Sequence, residues 1–348
     1  MVAVLTGLSH AVPAAVGQQA LWDGFFAEHY GNRALARRLF AASGVTTRHA
    51  VANPLDEDLS QWSTAARMDR YAAEAMPLAK QAMGQALADA GLAAGDVGLL
   101  AVASCTGYAT PGVDIRLARD LGMSPGLQRL FVGHMGCYAA VPALAAVTDF
   151  VVARDRPAVL LCLELTSLHV QPATDEIDQI VSHALFSDAA SAVVVQPGSA
   201  ALGGLEMVDV VARTDASTAD HMTWDVTDLG FRMGLSPRVP DVLAVHVGPV
   251  IGELLVRHGL APADVAAWAV HPGGPRILDV VAEQLDLPEV AVEPSRQVLA
   301  EHGNCSSATV LLALEAVAPG VPAGGYVVLT AFGPGLTLYA ALLRRRPG

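Results

Sequence analysis

Gly91-Leu92-Ala93-Ala94-Gly95-Asp96-Val97 and Gly259-Leu260-Ala261-Pro262-Ala263-Asp264-Val265 are near copies, 259 − 91 = 168 residues apart. Carried on without a gap, that offset lays Cys137 on Cys305 and Pro157 to Leu161 on Gly325 to Leu329. Three agreements in one register imply a duplicated unit. In each copy an amphipathic helix (79–90; 247–258) ends at a glycine suited to a helix C-cap. A short apolar strand follows (97–103; 265–270), then a loop and helix, a long apolar helix (137–153; 305–317) and another apolar strand (158–163; 326–330). Nearly continuous apolar strands separated by helices mark sheets covered on both faces. The expectation is a layered α/β/α/β/α fold of two similar halves, 1–213 and 214–348. Residues 198–240 have no partner at this offset and read as a connection that also shapes a pocket.

The composition narrows the class. Of 348 residues 53% are hydrophobic and only 16% charged, which excludes a disordered chain. A net charge of −13 disfavours nucleic acid and anionic lipid surfaces as partners, while leaving room for a local basic patch. The longest apolar stretch, Met135 to Thr148, contains Pro142 and falls short of the roughly 18 residues of a membrane span. No basic residue precedes Arg33, so no secretory signal is expected and the chain reads as cytosolic. Cys105, Cys137, Cys162 and Cys305 lack metal-ligand spacing and read as free thiols. His134, His183 and His302 are not spaced as a metal set either, and no metal is implied. Lys80 is the only lysine, which argues against Schiff-base chemistry.

Three residues stand where chemistry is expected. Cys137 precedes a long apolar helix, whose dipole would favour thiolate over thiol; a small buried residue at a helix start is the alternative. The duplication predicts that its loop faces the loop of Gly303-Asn304-Cys305. His271 follows the strand 265–270, at the strand end where α/β folds place ligands; it reads as a partner for the thiolate or as a loop histidine bonded to local backbone. Asn304 reads as a helix N-cap or as a non-titrating donor to an oxyanion.

Gly136-Cys137, His271-Pro272-Gly273-Gly274-Pro275-Arg276-Ile277, Gly303-Asn304-Cys305-Ser306-Ser307 and Phe332-Gly333-Pro334-Gly335 together resemble the signatures of type III polyketide synthases, relatives of chalcone synthase with the thiolase fold. The resemblance runs over nearly the whole chain. It implies a homodimer without a resident cofactor, in which an acyl-CoA starter acylates Cys137. His271 and Asn304 would assist decarboxylation of malonyl-CoA and stabilise the enolate for Claisen condensation.

The same resemblance makes Phe186 and Phe231 gatekeepers between a CoA tunnel and a cavity, where bare residues would read as core aromatics. It places Arg37, Arg38 and Arg48 near the CoA phosphates. Cys105 and His169 stand where plant chalcone synthases have threonines, and Thr110 where they have a methionine contributed across the dimer. Ser104-Cys105-Thr106-Gly107-Tyr108 looks more like bacterial alkylpyrone and alkylresorcinol synthases, so a long apolar starter pocket is expected past Cys105 and Thr110. The opposing reading is that His169 and Tyr108 fill that space and leave room only for acetyl or malonyl starters. Cys162 reads as apolar filler. A ketoacyl-ACP synthase III, which shares the Cys, His and Asn logic, and a non-catalytic paralogue are the other readings.

Overall fold

The computed structural model describes residues 2–347. The strands, in chain order, are β1 Ala3–Ala11, β2 Ala15–Gly17, β3 Thr47–His49, β4 Leu99–Ser104, β5 Gln128–Gly133, β6 Ala158–Leu165, β7 Asp188–Pro197, β8 Gly204–Thr214, β9 Met222–Thr227, β10 Gly230–Leu235, β11 Val265–Val270, β12 Tyr326–Gly333 and β13 Thr337–Arg346. Nine of them form one mixed sheet in the order β11-β12-β13-β8-β1-β7-β6-β4-β5. The short β1–β8 pairing, through Val4 and Leu5, joins two halves of matching topology. β6 is parallel to β4 and antiparallel to β7, as β12 is parallel to β11 and antiparallel to β13. β6 and β12 begin 326 − 158 = 168 residues apart, the offset of the sequence repeat.

The apolar strands are explained by what covers them. Along β6, Ala158, Leu160 and Cys162 enter a central core with Val141, Leu144 and Leu311, whereas Val159, Leu161 and Leu163 enter an outer core with Ala79, Ala82 and Met83. β12 divides likewise, Val327 and Leu329 facing the centre and Val328 and Phe332 the opposite outer core. Helices Ala140–Arg154 and Thr309–Val317 therefore lie between two half-sheets, with Thr64–Asp89 outside one and Val239–Arg257 outside the other. These are the five layers expected, and Cys162 is the filler expected.

Two local readings are corrected. The helix read from 79 begins at Thr64, capped by Ser63, because packing against β1, β6 and β7 outweighs the backbone bond lost at Pro77. Its counterpart likewise runs from Val239 through Pro249. Helices Gly136–Arg154 and Val239–Arg257, at 19 residues each, are long and apolar enough for a bilayer span by length and composition, but both pack within the fold. The first is apolar all round because it is sandwiched between half-sheets, and the second packs on β8, β13 and helix Pro275–Gln284. Residues 198–240 are more than a connection, since β8 pairs along its length with β13. The expected division at 213/214 falls at the end of β8, whose partner strand lies in the second half.

Candidate active site

Cys137, His271 and Asn304 arrive from three separate segments and line one cleft of about 670 Å³. Cys137 lies in the tight turn Gly136–Tyr138 that leads into helix Ala140–Arg154. Gly136 has φ +68°, and a Cβ there would meet Pro334 at 2.6 Å, so the turn holding the thiol accepts only glycine. His271 follows β11, its backbone N–H donating to Thr330 O at 2.9 Å. Asn304 is pinned by its backbone: its N–H donates to Leu185 O at 2.8 Å, and its carbonyl accepts from Ser187 N–H at 3.0 Å. Its Oδ1 accepts from Ser306 N–H at 2.9 Å and Thr309 Oγ1–H at 3.4 Å, leaving the amide NH2 toward Cys137. The side-chain oxygen of Asn304 thus serves the turn that leads into helix Thr309–Val317, whose own N-cap is Ala308, while its other end faces the thiol. The two loops that the duplication predicted to face each other do so.

The resting site is neutral. Burial pushes the Cys137 thiol up to about 12, with the Ser306 hydroxyl and Asn304 amide pulling against it and Glu164 adding to it. Burial alone pushes His271 down to about 3. Its Nδ1 has no protein partner and its ring stands edge-on to Phe332, centroids 5.7 Å apart. The thiolate expected from the helix dipole is thus not the resting state, because desolvation outweighs a partial charge at one helix end.

The remaining expected residues separate. Phe186 borders the cleft and two smaller spaces behind it, as a gate would. Phe231 lies deeper, stacked on His169 at 4.6 Å and 10°, and lines only the inner chamber of about 50 Å³. His169 is fully engaged: Nε2–H donates to Thr106 O at 2.7 Å, and Nδ1 accepts from Phe231 N–H at 2.9 Å. Cys105 is within reach of Cys137, but the space between them is about 10 Å³. Trp224 closes it, its indole N–H donating to Cys105 O at 2.8 Å. Thr110 is exposed and bonds Tyr108, itself 62% exposed, so neither lines or fills a channel within this chain. The open channel expected past Cys105 and Thr110 is therefore absent, and it is Trp224 that occupies the room. Arg37 and Arg38 are exposed on helix Ala34–Ala41, whose Leu39, rather than either arginine, lines the cleft. Arg48 is buried, with Nη1 donating to the carbonyls of His183 and Phe186, which removes it from any surface phosphate site.

Sequence reading missed Trp224, Met233 and Glu164. Trp224 and Met233 lie in the stretch without a repeat partner, where periodicity gave no guide. Glu164 is the one charge in the wholly buried strand β6, which was a usable signal. It accepts from Cys105 N–H at 3.0 Å, Thr106 Oγ1–H at 2.7 Å and Ser307 Oγ–H at 2.6 Å, and burial still raises its pKa.

A thiolase-type duplication carrying Cys, His and Asn on one cleft defines a condensing acyltransferase. The chain matches "Chalcone and stilbene synthases, N-terminal domain" over residues 2–199 and the C-terminal domain of the same family over 207–347. It is 37% identical to a 1,3,6,8-tetrahydroxynaphthalene synthase of Streptomyces peucetius subsp. caesius, over 90% of this chain and 84% of that protein. It is 34% identical to the "Alpha-pyrone synthesis polyketide synthase-like Pks18" of Mycobacterium tuberculosis, over 98% and 91%. The crystal structure of the Streptomyces coelicolor 1,3,6,8-tetrahydroxynaphthalene synthase superposes with TM-score 0.91 at 29% identity, covering 99% of this chain and all of that one. PKS-I of the brown alga Ectocarpus siliculosus does so with TM-score 0.90 at 28%, covering 99% and 98%. The chain belongs to the chalcone and stilbene synthase family and is a type III polyketide synthase, a decarboxylating condensing acyltransferase.

Proposed function

We propose that Cys137 carries the growing acyl chain while His271 and Asn304 stabilise the enolate formed as malonyl-CoA loses carbon dioxide. The observation that carries this is that all three line the same large cleft. His271 accepts the Cys137 proton as the thiol attacks the starter thioester, CoA departing as its thiol. His271 passes that proton to the departing CoA sulfur, and the neutral ring, through its N–H, and the Asn304 amide then donate to the enolate oxygen, whose carbon attacks the Cys137 thioester. CoA thioesters are the substrates and no resident cofactor enters this scheme. Intact mass after incubation with acyl-CoA should show one adduct on Cys137; an adduct on Cys105 or Cys305 with Cys137 unmodified overturns the assignment.

For the starter we propose a compact acyl group, acetyl or malonyl. With Trp224 in place only about 10 Å³ lies between Cys137 and Cys105, and each buried methylene needs its own room. The second reading, a long acyl starter leading to an alkylpyrone or alkylresorcinol, is favoured by the likeness to the alpha-pyrone relative and requires Trp224 to move. A panel of acyl-CoAs with malonyl-CoA, products identified by mass, separates the two. Wild type turning over long chains as fast as acetyl-CoA sinks the compact-starter reading, and Trp224→Ala should admit longer chains.

We also propose a homodimer through β5. This strand is a sheet edge exposing Leu130 and Phe131, 37% and 44% accessible, with unpaired backbone along its outer side. Thr110 would then meet the partner's cavity. Sedimentation of wild type as a dimer and of Phe131→Glu as a monomer supports this; a monomeric wild type ends it. A cytosolic location agrees with the free thiols and awaits fractionation.

A further inference from the structure

Arg48 is 6% exposed and makes no ion pair in contact among the described residues, Asp188 being the one carboxylate near enough to act on its charge. Its Nη1 is taken by the carbonyls of His183 and Phe186. Nε and Nη2 are buried without a hydrogen-bond partner among the described residues. The nearest carboxylate, Asp188, is spent on Val51 N–H, Ser167 N–H, Ser167 Oγ–H and Thr166 Oγ1–H. The unpartnered atoms are not a random pair: Nε–H and Nη2–H form one side-on edge of the guanidinium, two parallel donors spaced for two oxygens.

Arg48 lines an inner chamber of about 50 Å³ together with Phe26, Trp224 and Phe231; the free edge lies just beneath the chamber surface, and the guanidinium carbon stands 5.7 Å from the Phe26 ring centroid and 6.0 Å from that of Phe40. Ser182 lines both this chamber and the cleft, and its Oγ also lacks a partner. Phe186 and Met233 border the chamber as well as the spaces that hold Cys137. Phe186 and Met233 are therefore the side chains that stand between this chamber and a group tethered to Cys137.

We propose that the free edge of Arg48 binds a 1,3-dicarbonyl unit of the Cys137-bound polyketide in its enolate form. The inference rests on the condensing role proposed for Cys137. Two condensations leave ketone groups on alternate carbons. Such a unit ionises more readily than a simple ketone and presents two oxygens in one plane, sharing one negative charge as a carboxylate does. A guanidinium fork fits that pair bidentately, and a buried cation without a partner gains most from it. Because Nη1 holds the Phe186 carbonyl, the same side chain ties the gate to the group held behind it.

The test uses the full chain with pentane-2,4-dione as probe, in titrations short enough that intact mass shows no adduct. At a pH where the free dione is un-ionised, wild type should raise the near-ultraviolet enolate absorption saturably. Arg48→Lys should weaken that binding roughly tenfold or more, the loss that accompanies a charge-assisted hydrogen bond. Asn304→Ala should leave it unchanged, and cyclohexane-1,3-dione, whose oxygens diverge, should not bind. In turnover, Arg48→Lys should load Cys137 and decarboxylate malonyl-CoA as wild type does, yet cut the ratio of multiply to singly extended product about tenfold. An unchanged ratio, or loss of loading together with extension, reduces Arg48 to a support for Phe186 and overturns the proposal. If Arg48→Lys does not fold, the wild-type titration decides, and no enolate signal overturns it. Should wild type never acylate Cys137, the catalytic assignment fails separately from the dione measurement.

Discussion

Cys137 and Cys305 occupy the same place in the two halves, 305 − 137 = 168 residues apart, and have opposite surroundings. Cys137 opens on the cleft, whereas Cys305 is 0% exposed and its thiol donates to His302 O at 3.4 Å. At the same offset His271 corresponds to Ala103 and Asn304 to Gly136. Duplication thus supplied two equivalent loops, and the second half put functional side chains where the first has the two smallest. The one active centre is asymmetric because each half contributes what the other lacks.

The strongest break of this comparison is paired alanine substitution. Cys137→Ala should abolish product formation, while Cys305→Ala keeps near wild-type turnover and loses about 1 kcal/mol of stability from the small cavity it leaves. Equal loss of activity in both, with both folded by circular dichroism, would mean that the second cysteine is chemically engaged.

Asn304→Ala removes a donor for which the first half has no substitute. Malonyl-CoA decarboxylation should fall about 10² to 10³-fold while acylation of Cys137 survives. A wild-type decarboxylation rate would leave Asn304 only its N-terminal turn to hold.

The neutral resting site sets the third outcome. With the Cys137 thiol pushed up to about 12, its thiolate fraction in the ligand-free enzyme grows about tenfold per pH unit up to that value. Iodoacetamide alkylation of Cys137, followed by intact mass, should climb at that slope from about pH 6 to about pH 9. A rate already level near neutrality would show an ion-paired thiolate and contradict a neutral resting pair.

The last outcome leaves the chemistry unchanged and concerns stability against pH. His169 and His271 are both held down to about 3 by burial, against 6.5 for an ordinary histidine. Between these values the unfolded chain binds protons that the native chain refuses. Stability is therefore full above 6.5 and falls as pH drops toward 3, by up to about 1.4 kcal/mol per pH unit for each group. Urea unfolding at stepped pH should show this loss, less steeply in His169→Gln; an unchanged midpoint from about pH 6.5 to about pH 4.5 would place the charged histidines in the native state.

How much the amino-acid sequence discloses follows from which signals are local. Apolar runs and the 168-residue repeat announced the layered halves, since a strand covered on both faces must be apolar throughout. Motif spacing brought out Cys137, His271 and Asn304, because each sits at a glycine-rich turn or element end that the sequence marks. The folded chain alone decided that the thiol rests neutral, that Arg48 is buried with one edge free, and that Trp224 fills the space beside Cys105. Those three outcomes depend on desolvation and volume, which are set by residues tens to hundreds of positions apart and leave no mark on any one stretch of sequence.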